Sequence, residues 1–326
     1  MALHTHSQNE QGRKVRPFAV IRSLDQVHAW CTKQRQANRA VHFVPTLGGL
    51  HAGHGVLFRQ AASPMWGSRK PAVLVSVFVN PRQFGPGEDF HCYPRSPDAD
   101  CSLAACAGAD AVWLPSVGDV FGGSAMSAPD SLGAPMIPAD LGGMCASGRP
   151  GHFEGVLAVM QHFLHILGPD RVLMGEKDFQ QLQVIRRLVA DVGIPACIIS
   201  CATVRETDGL ALSSRNERLT RTQRAIAPSL YSVLQESAIE LATGKFLGEQ
   251  VSLAKSRLLR AGFSSVEYIE LRSSCSHKLE NAPCGNTLPR SRARLFVAAW
   301  LGSVRLIDNV PVPRFCASSF APGVRR

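Results

Sequence analysis

No apolar run in the 326-residue sequence approaches the ~20 residues that a bilayer span requires. The richest run, Ala72 to Val79, has strand length and is broken by Ser76. The first 30 residues lack the apolar core of a secretory signal. Charged residues make up 18% and hydrophobic residues 45%, a balance that excludes wholesale disorder. Neither common phosphate-loop pattern, G-x-x-x-x-G-K-S/T or G-x-G-x-x-G, occurs. Cysteine is not scarce, but the C-x-x-C pair is absent. The ten cysteines lie at 31, 92, 101, 106, 145, 197, 201, 275, 284 and 316. In so long a chain the expectation is free thiols in a reducing cytoplasm rather than a disulfide framework. No C-x-x-C pair is there to seed a structural zinc site, so no metal ligands are assigned.

Basic residues are in excess, for a net charge of +10. The excess has a location: residues 1–40 carry a net +5, residues 290–326 a net +6, and residues 41–289 a net −1. A groove for nucleic acid needs its cations on the folded body, so no nucleic-acid partner is expected, and no membrane partner either. On the same ground the ends, 1–40 and 310–326, are expected to be dispensable for catalysis.

The length suggests roughly two domains of ~150 residues. Residues 1–16 read as a disordered arm. Strand candidates at 41–44, 72–79, 111–114, 171–174 and 198–204 alternate with helical patterns. Val156, Val159, Phe163 and Ile166 form one stripe and Phe179, Leu182, Ile185 and Val189 another, at spacings of three and four. Such alternation implies an α/β fold with a parallel sheet covered on both faces. The Gly-, Ser-, Ala- and Pro-rich stretch from Gly118 to Gly151 reads as one long loop. Past Asn216, helical stretches at 221–242 and 249–261 precede strand candidates near 266–271, 294–300 and 304–308. That part reads as a smaller C-terminal α+β domain. The expected division is 1–16, 17–215, 216–310 and a tail at 311–326.

In parallel sheets ligands bind beyond the carboxyl ends of the strands. Four polar, glycine-bearing loops follow strands there. The first runs from Pro45 to His54 ahead of a helix, whose free amides suit phosphate. His51 and His54 are three apart, so one helical turn puts both imidazoles on one side. The competing reading is a glycine-rich turn with two incidental histidines. The second loop contains Asn80 and Gln83, neutral carboxamides that suit a small polar substrate or simply a proline turn. The third is Gly175-Glu176-Lys177-Asp178, with a lysine suited to phosphate, or a capped helix start. The fourth, Asp208 to Asn216, sets Ser213, Ser214 and Arg215 in a row, to grip phosphate or to sit in water.

Together these segments resemble the pantoate–β-alanine ligases, or pantothenate synthetases. The similar stretches are VPTLGGLHAGH (44–54), VSVFVNPRQFGPGEDFHCYPR (75–95), RPGHFEGV (149–156), PDRVLMGEKDFQQLQVIRRLVAD (169–191), VRETDGLALSSRN (204–216) and AAWLGSVRLIDN (298–309). The resemblance implies a Rossmann-like nucleotidyltransferase domain and a cytoplasmic homodimer using ATP and Mg2+. It also implies a two-step ligation of pantoate and β-alanine through pantoyl adenylate. ATP contacts implied are Leu47, Gly48, Gly49, Leu50, His51, Ala52, Gly53 and His54; Gly175, Glu176, Lys177 and Asp178; Val204; and Leu212, Ser213, Ser214 and Arg215. His51, His54 and Lys177 are the implied catalytic residues. Gln83 and Gln181 are the implied substrate contacts, with Asn80 as a neighbouring candidate.

The sequence also departs from the family pattern. Leu47 replaces a methionine, Ala52 an acidic residue, and Gly55 sits within the following helix. Ala99 replaces an acid that helps hold magnesium, leaving Asp98 and Asp100 as alternatives. Two segments look inserted: the stretch before Arg149, and Ser273 to Arg292. Two rival functions remain at this level, transfer of AMP to a phosphorylated acceptor and binding of nucleic acid. The neutral Asn80 and Gln83 count against the first, and the neutral body against the second.

Overall fold

The computed structural model describes residues 18–64, 70–122, 137–138, 141–275, 278–281 and 293–313. The expected arm at 1–16 lies outside them, as do the tail from 314 onward and much of the long loop. The elements in chain order are β1 (Ala19–Ile21), α1 (Leu24–Gln36), β2 (Val41–Thr46), α2 (Ala52–Ala61), β3 (Ala72–Val77), α3 (Pro97–Cys106), β4 (Ala111–Trp113) and α4 (Val117–Phe121). Then come α5 (Met144–Gly148), α6 (His152–Leu167), β5 (Arg171–Gly175), α7 (Phe179–Val192), β6 (Cys197–Cys201), α8 (Arg221–Ile226), α9 (Ser229–Ala242) and α10 (Leu247–Ala261). The strands β7 (Ser265–Cys275), β8 (Lys278–Asn281), β9 (Ala293–Leu301) and β10 (Val304–Pro311) close the sequence of elements. None of the described helices is long and apolar enough to cross a membrane.

The chain forms two compact units. One holds the described residues up to 205 together with 212–217, and the other holds 206–211 and those from 218 onward. In the first unit six strands make a parallel sheet in the order β1-β4-β3-β2-β5-β6. β3 is paired on both sides, and its Ala72 to Ser76 are all buried. This is why it reads as a continuous apolar run rather than an alternating one. On one face Val44, Val73, Val75 and Val112 pack with Phe58 and Ala61 of α2 and Ala104 of α3. On the other, Phe163 of α6 meets Phe43 at 5.9 Å and Trp113 at 4.9 Å between ring centroids.

Two expectations need correction here. Residues 18–40 belong to the folded unit rather than to a free end: β1 pairs with β4, and α1 buries Val27, Cys31 and Gln34. Thirteen residues with only three buried positions show little periodicity, so this helix is nearly silent in the sequence. Nor is 118–151 a single loop. α4 begins on a capping box in which Ser116 and Asp119 each accept from the other's backbone N–H, and α5 forms at 144–148.

β2 and β5 are neighbours, yet the chain leaves β2 toward β3 and leaves β5 toward β6. The loops beyond their carboxyl ends therefore diverge and open a crevice, the topological switch point at which α/β sheets bind ligands.

The second unit is the expected smaller α+β domain. Its antiparallel sheet has the order β10-β9-β7-β8. Leu230, Val233 and Leu234 of α9 and Ala254 and Leu258 of α10 pack on Leu295, Val297 and Ala299 of β9. A two-residue turn joins β9 to β10, with Gly302 at φ 61° supplying the left-handed conformation that such turns need.

Candidate active site

The crevice holds a cavity of about 240 Å³, and its whole lining belongs to the first unit. One wall starts where β2 ends. Thr46 Oγ1 donates to Ser76 O at 2.6 Å and accepts from Gly48 N–H at 3.3 Å, turning the chain out of the sheet. Gly48 and Gly49 take φ of 92° and 60°, which L side chains avoid. Asp100, 2% exposed on α3, fixes the turn by accepting from Gly49 N–H at 3.2 Å and Leu50 N–H at 2.7 Å. Both of its oxygens are thus engaged with backbone, and Asp98 is exposed outside the cavity lining.

The turn delivers the chain to His51, the N-cap of α2. His51 Nδ1 accepts from Gly53 N–H at 3.2 Å, and His54 Nδ1 accepts from His51 N–H at 3.2 Å. An imidazole whose Nδ1 is an acceptor carries its proton on Nε2 when neutral. Burial, more than the Lys177 charge, pushes His51 down to about 4, and burial with His51 and Lys177 pushes His54 down to about 3. Both rings therefore stand neutral at pH 7, their centroids 4.1 Å apart, as fixed Nε2–H donors on the cavity wall.

The facing wall starts where β5 ends. A single 3-10 turn, Glu176–Asp178, brings Lys177 and Asp178 into the lining, with Lys177 Nζ 3.6 Å from Asp178 Oδ2. The next helix, α7, divides two adjacent glutamines. Gln180 is buried and holds Leu141 O, Gly143 O and Cys145 N–H, whereas Gln181 faces the cavity. Leu212 to Arg215 line the same space, and Arg215 is clamped by Asp89 through two hydrogen bonds of 2.9 and 2.8 Å.

The floor is the 3-10 turn Pro81–Gln83. Asn80, 1% exposed, caps it by accepting from Arg82 N–H at 3.1 Å. Asn80 Nδ2 donates to Gln83 Oε1 at 3.2 Å and to Gly155 O at 2.9 Å, so both of its amide hydrogens are engaged. The turn lies directly on α6 at Gly155, where a Cβ would come within 2.1 Å of Arg82 O.

Of the residues singled out in the sequence, the cavity brings together Leu47, His51, Gly53, His54, Asn80, Gln83, Gly175, Lys177, Asp178, Gln181, Val204, Leu212, Ser213, Ser214 and Arg215. Gly48, Gly49, Leu50, Ala52 and Glu176 are not in the lining. The amides of Gly49 and Leu50 are turned to Asp100 instead. Reading by residue type missed Tyr93, Arg149, His152 and the apolar wall of Phe78, Met160 and Phe163. Tyr93 lay in the second strand-following loop without being given a role, and the stretch containing Arg149 and His152 stood out only as family resemblance. Among the described residues no group of three or more His, Cys, Asp or Glu side chains is arranged to hold a metal ion.

Comparison with known proteins gives a consistent result. The family model described as pantoate-beta-alanine ligase matches residues 19–311. The pantothenate synthetase of Cereibacter sphaeroides is 40% identical over 299 residues, covering 90% of this chain and 99% of the relative. A crystal structure of pantothenate synthetase from Thermus thermophilus superposes with a TM-score of 0.75 at 35% identity, covering 90% of this chain and 99% of that one. The pantoate-beta-alanine ligase of Francisella tularensis, crystallised with beta-gamma ATP and beta-alanine, gives 0.72 at 30% identity, over 90% and 97% of the two chains.

Proposed function

The chain belongs to the pantoate–β-alanine ligase family, and from that membership we propose how its residues carry the reaction. The reaction joins pantoate to β-alanine in two steps. A pantoate carboxylate oxygen attacks the α-phosphorus of ATP, and the bond to the bridging oxygen breaks, releasing pyrophosphate and leaving pantoyl adenylate. The neutral amine of β-alanine then attacks the acyl carbon, and AMP leaves to give pantothenate. A carboxylate with a pKa near ~4 is already ionised at pH 7, so the first step needs no base. It needs two anions held in line and the growing charge on the departing phosphates met by donors.

One observation carries the assignment: His51 and His54 are held as Nε2–H donors in the cavity that also holds Lys177, Gln83 and Gln181. In this reading the two imidazoles and the Lys177 ammonium receive the triphosphate, with Leu47, Gly53, Gly175, Asp178, Val204, Leu212, Ser213, Ser214 and Arg215 around the nucleotide. Gln83 has its Oε1 occupied by Asn80, which leaves Nε2 to donate to pantoate. Gln181 is the second pantoate contact, and Asn80 is a positioning residue rather than a ligand. The apolar wall of Phe78, Met160 and Phe163 suits the dimethyl carbon of pantoate.

Among the described residues the side chains do not build a magnesium cage. Magnesium enters this reading as part of the MgATP substrate, and no step is routed through it. A homodimer and a cytoplasmic location enter by family membership alone; sedimentation of the purified chain checks the first.

Pantoate-dependent exchange of labelled pyrophosphate into ATP tests the proposal. The wild-type chain is expected to exchange with pantoate and without β-alanine. Lys177→Ala is expected to lower that exchange by ~10²-fold or more, since donors to developing charge contribute several kcal/mol. No exchange with pantoate would end the reading of the site.

A further inference from the structure

Gln83 is held at both ends. At the side-chain end Asn80 fixes the amide. At the main-chain end its carbonyl oxygen accepts from His152 Nδ1–H at 2.7 Å and from Arg149 Nη2–H at 3.3 Å. Arg149 Nη1–H in turn donates to His152 Nε2 at 3.0 Å, which fixes the imidazole as its Nδ1–H tautomer. Glu88 then grips Arg149, accepting from Nε at 2.6 Å and Nη2 at 2.5 Å. Arg149 and Glu88 keep only 14% and 22% of their side-chain surface exposed. Arg149 is therefore a cation already neutralised on the cavity wall, not an idle one awaiting an anion.

We propose that Glu88, Arg149 and His152 are positioning residues that set the height and tilt of Gln83 for pantoate, each acting through the next. The proposal rests on the reading of Gln83 as a pantoate contact. The geometry gives one purpose to three polar residues separated by up to 64 positions in sequence: His152 and Arg149 hold one peptide carbonyl, and Glu88 holds Arg149. A carbonyl held by two donors restrains the peptide plane, and with it the Cα from which the Gln83 side chain departs. Gly155 completes the device: its missing Cβ lets α6 approach the turn, and so lets His152, in the first turn of α6, reach the Gln83 carbonyl.

The test is a double-mutant cycle read in pantoate-dependent pyrophosphate exchange, with KM for pantoate and for ATP measured separately. His152→Ala is expected to raise the pantoate KM about tenfold with the ATP KM within about twofold, and Glu88→Gln to shift it in the same sense by less. His152→Asn places an amide donor near the former Nδ1 and is expected to recover most of the loss. It also covers the case in which His152→Ala does not fold. In a Gln83→Ala background, His152→Ala is expected to add almost nothing. Additive losses would show His152 acting on its own account and would overturn the proposal, as would an unchanged pantoate KM in both Glu88→Gln and His152→Ala. A normal pantoate KM in Gln83→Ala alone would instead remove the reading of the site, and the positioning role with it.

Discussion

His51 works from both ends of one imidazole. Its Nδ1 caps α2 by accepting from Gly53 N–H, which leaves the Nε2–H as the donor of a ring that lines the cavity. Substitution by alanine therefore mixes two losses, a helix cap of about 0.5–2 kcal/mol and a phosphate donor. His51→Asn separates them, because asparagine is a good cap but is too short to present a donor at the Nε2 position. The expectation is near wild-type urea stability with pyrophosphate exchange lowered ~10²-fold. Full exchange in a stable His51→Asn enzyme would assign His51 to structure alone. A second expectation concerns protonation. An unperturbed histidine titrates near ~6.5, whereas burial holds His51 to about 4 and His54 to about 3. Long-range proton–nitrogen NMR of the free protein should show both rings as the Nε2–H tautomer from pH 8 down to pH 5. A titration step near pH 6.5 in either ring would contradict the caps. The sign for stability follows. Below the unfolded value the unfolded chain binds protons that the native rings refuse, so these two residues make the fold less stable as pH falls from ~6.5 toward ~4.

Among the secondary elements, α6 has the most demanding contact. Its Gly155 lies so close to the Pro81–Gln83 turn that an alanine Cβ would meet Arg82 O at 2.1 Å and Gln83 N at 2.7 Å. Those are backbone atoms, so relief requires the turn or the helix to move. Gly155→Ala should lose about 1–3 kcal/mol in urea unfolding and raise the pantoate KM. Gly248, early in α10, is the control: nothing lies within 4 Å of a Cβ there, and alanine should be neutral or add about 0.4–1 kcal/mol. Equal effects at the two glycines would refute the packing argument. The same contact shows what a sequence can disclose. Strands β2, β3 and β5 and the loops after them were legible, because a buried parallel strand leaves an apolar run and a ligand loop leaves glycine beside polar residues. The stripe on α7 was legible too, although Leu188 rather than Val189 is the buried position in its last turn. Arg149 and His152 were not legible as site residues. Their roles come from contacts with Gln83 and Glu88 more than 60 residues away, and no local spacing encodes them. β1, three residues with Val20 exposed, was too short an edge strand to leave a pattern.

At the scale of the whole molecule the question is where the folded body begins, because the charge distribution places it too late in the chain. The net charge of −1 over residues 41–289 invites removal of everything before residue 41. In the structure the folded body already includes the described residues from 18 onward. β1 pairs in register with β4, Ala19 opposite Ala111 and Ile21 opposite Trp113. α1 follows, and its Arg35 donates to Leu167 O and to Gly168 O at the carboxyl end of α6. That bond satisfies carbonyls that a helix end leaves open, and it does so on the helix whose first turn carries His152. Truncation to residues 18–313 removes Arg13, Lys14, Arg16, Arg314, Arg325 and Arg326. It is expected to preserve the unfolding temperature and both KM values. Truncation to 41–313 removes an edge strand, a helix and a helix cap together. Its unfolding midpoint should fall by about 5 °C or more, with the pantoate KM rising as α6 loosens at its far end. Thermal unfolding and exchange kinetics on the two truncated chains decide the matter. Equal stability and activity in both would return residues 18–40 to the status of an appendage.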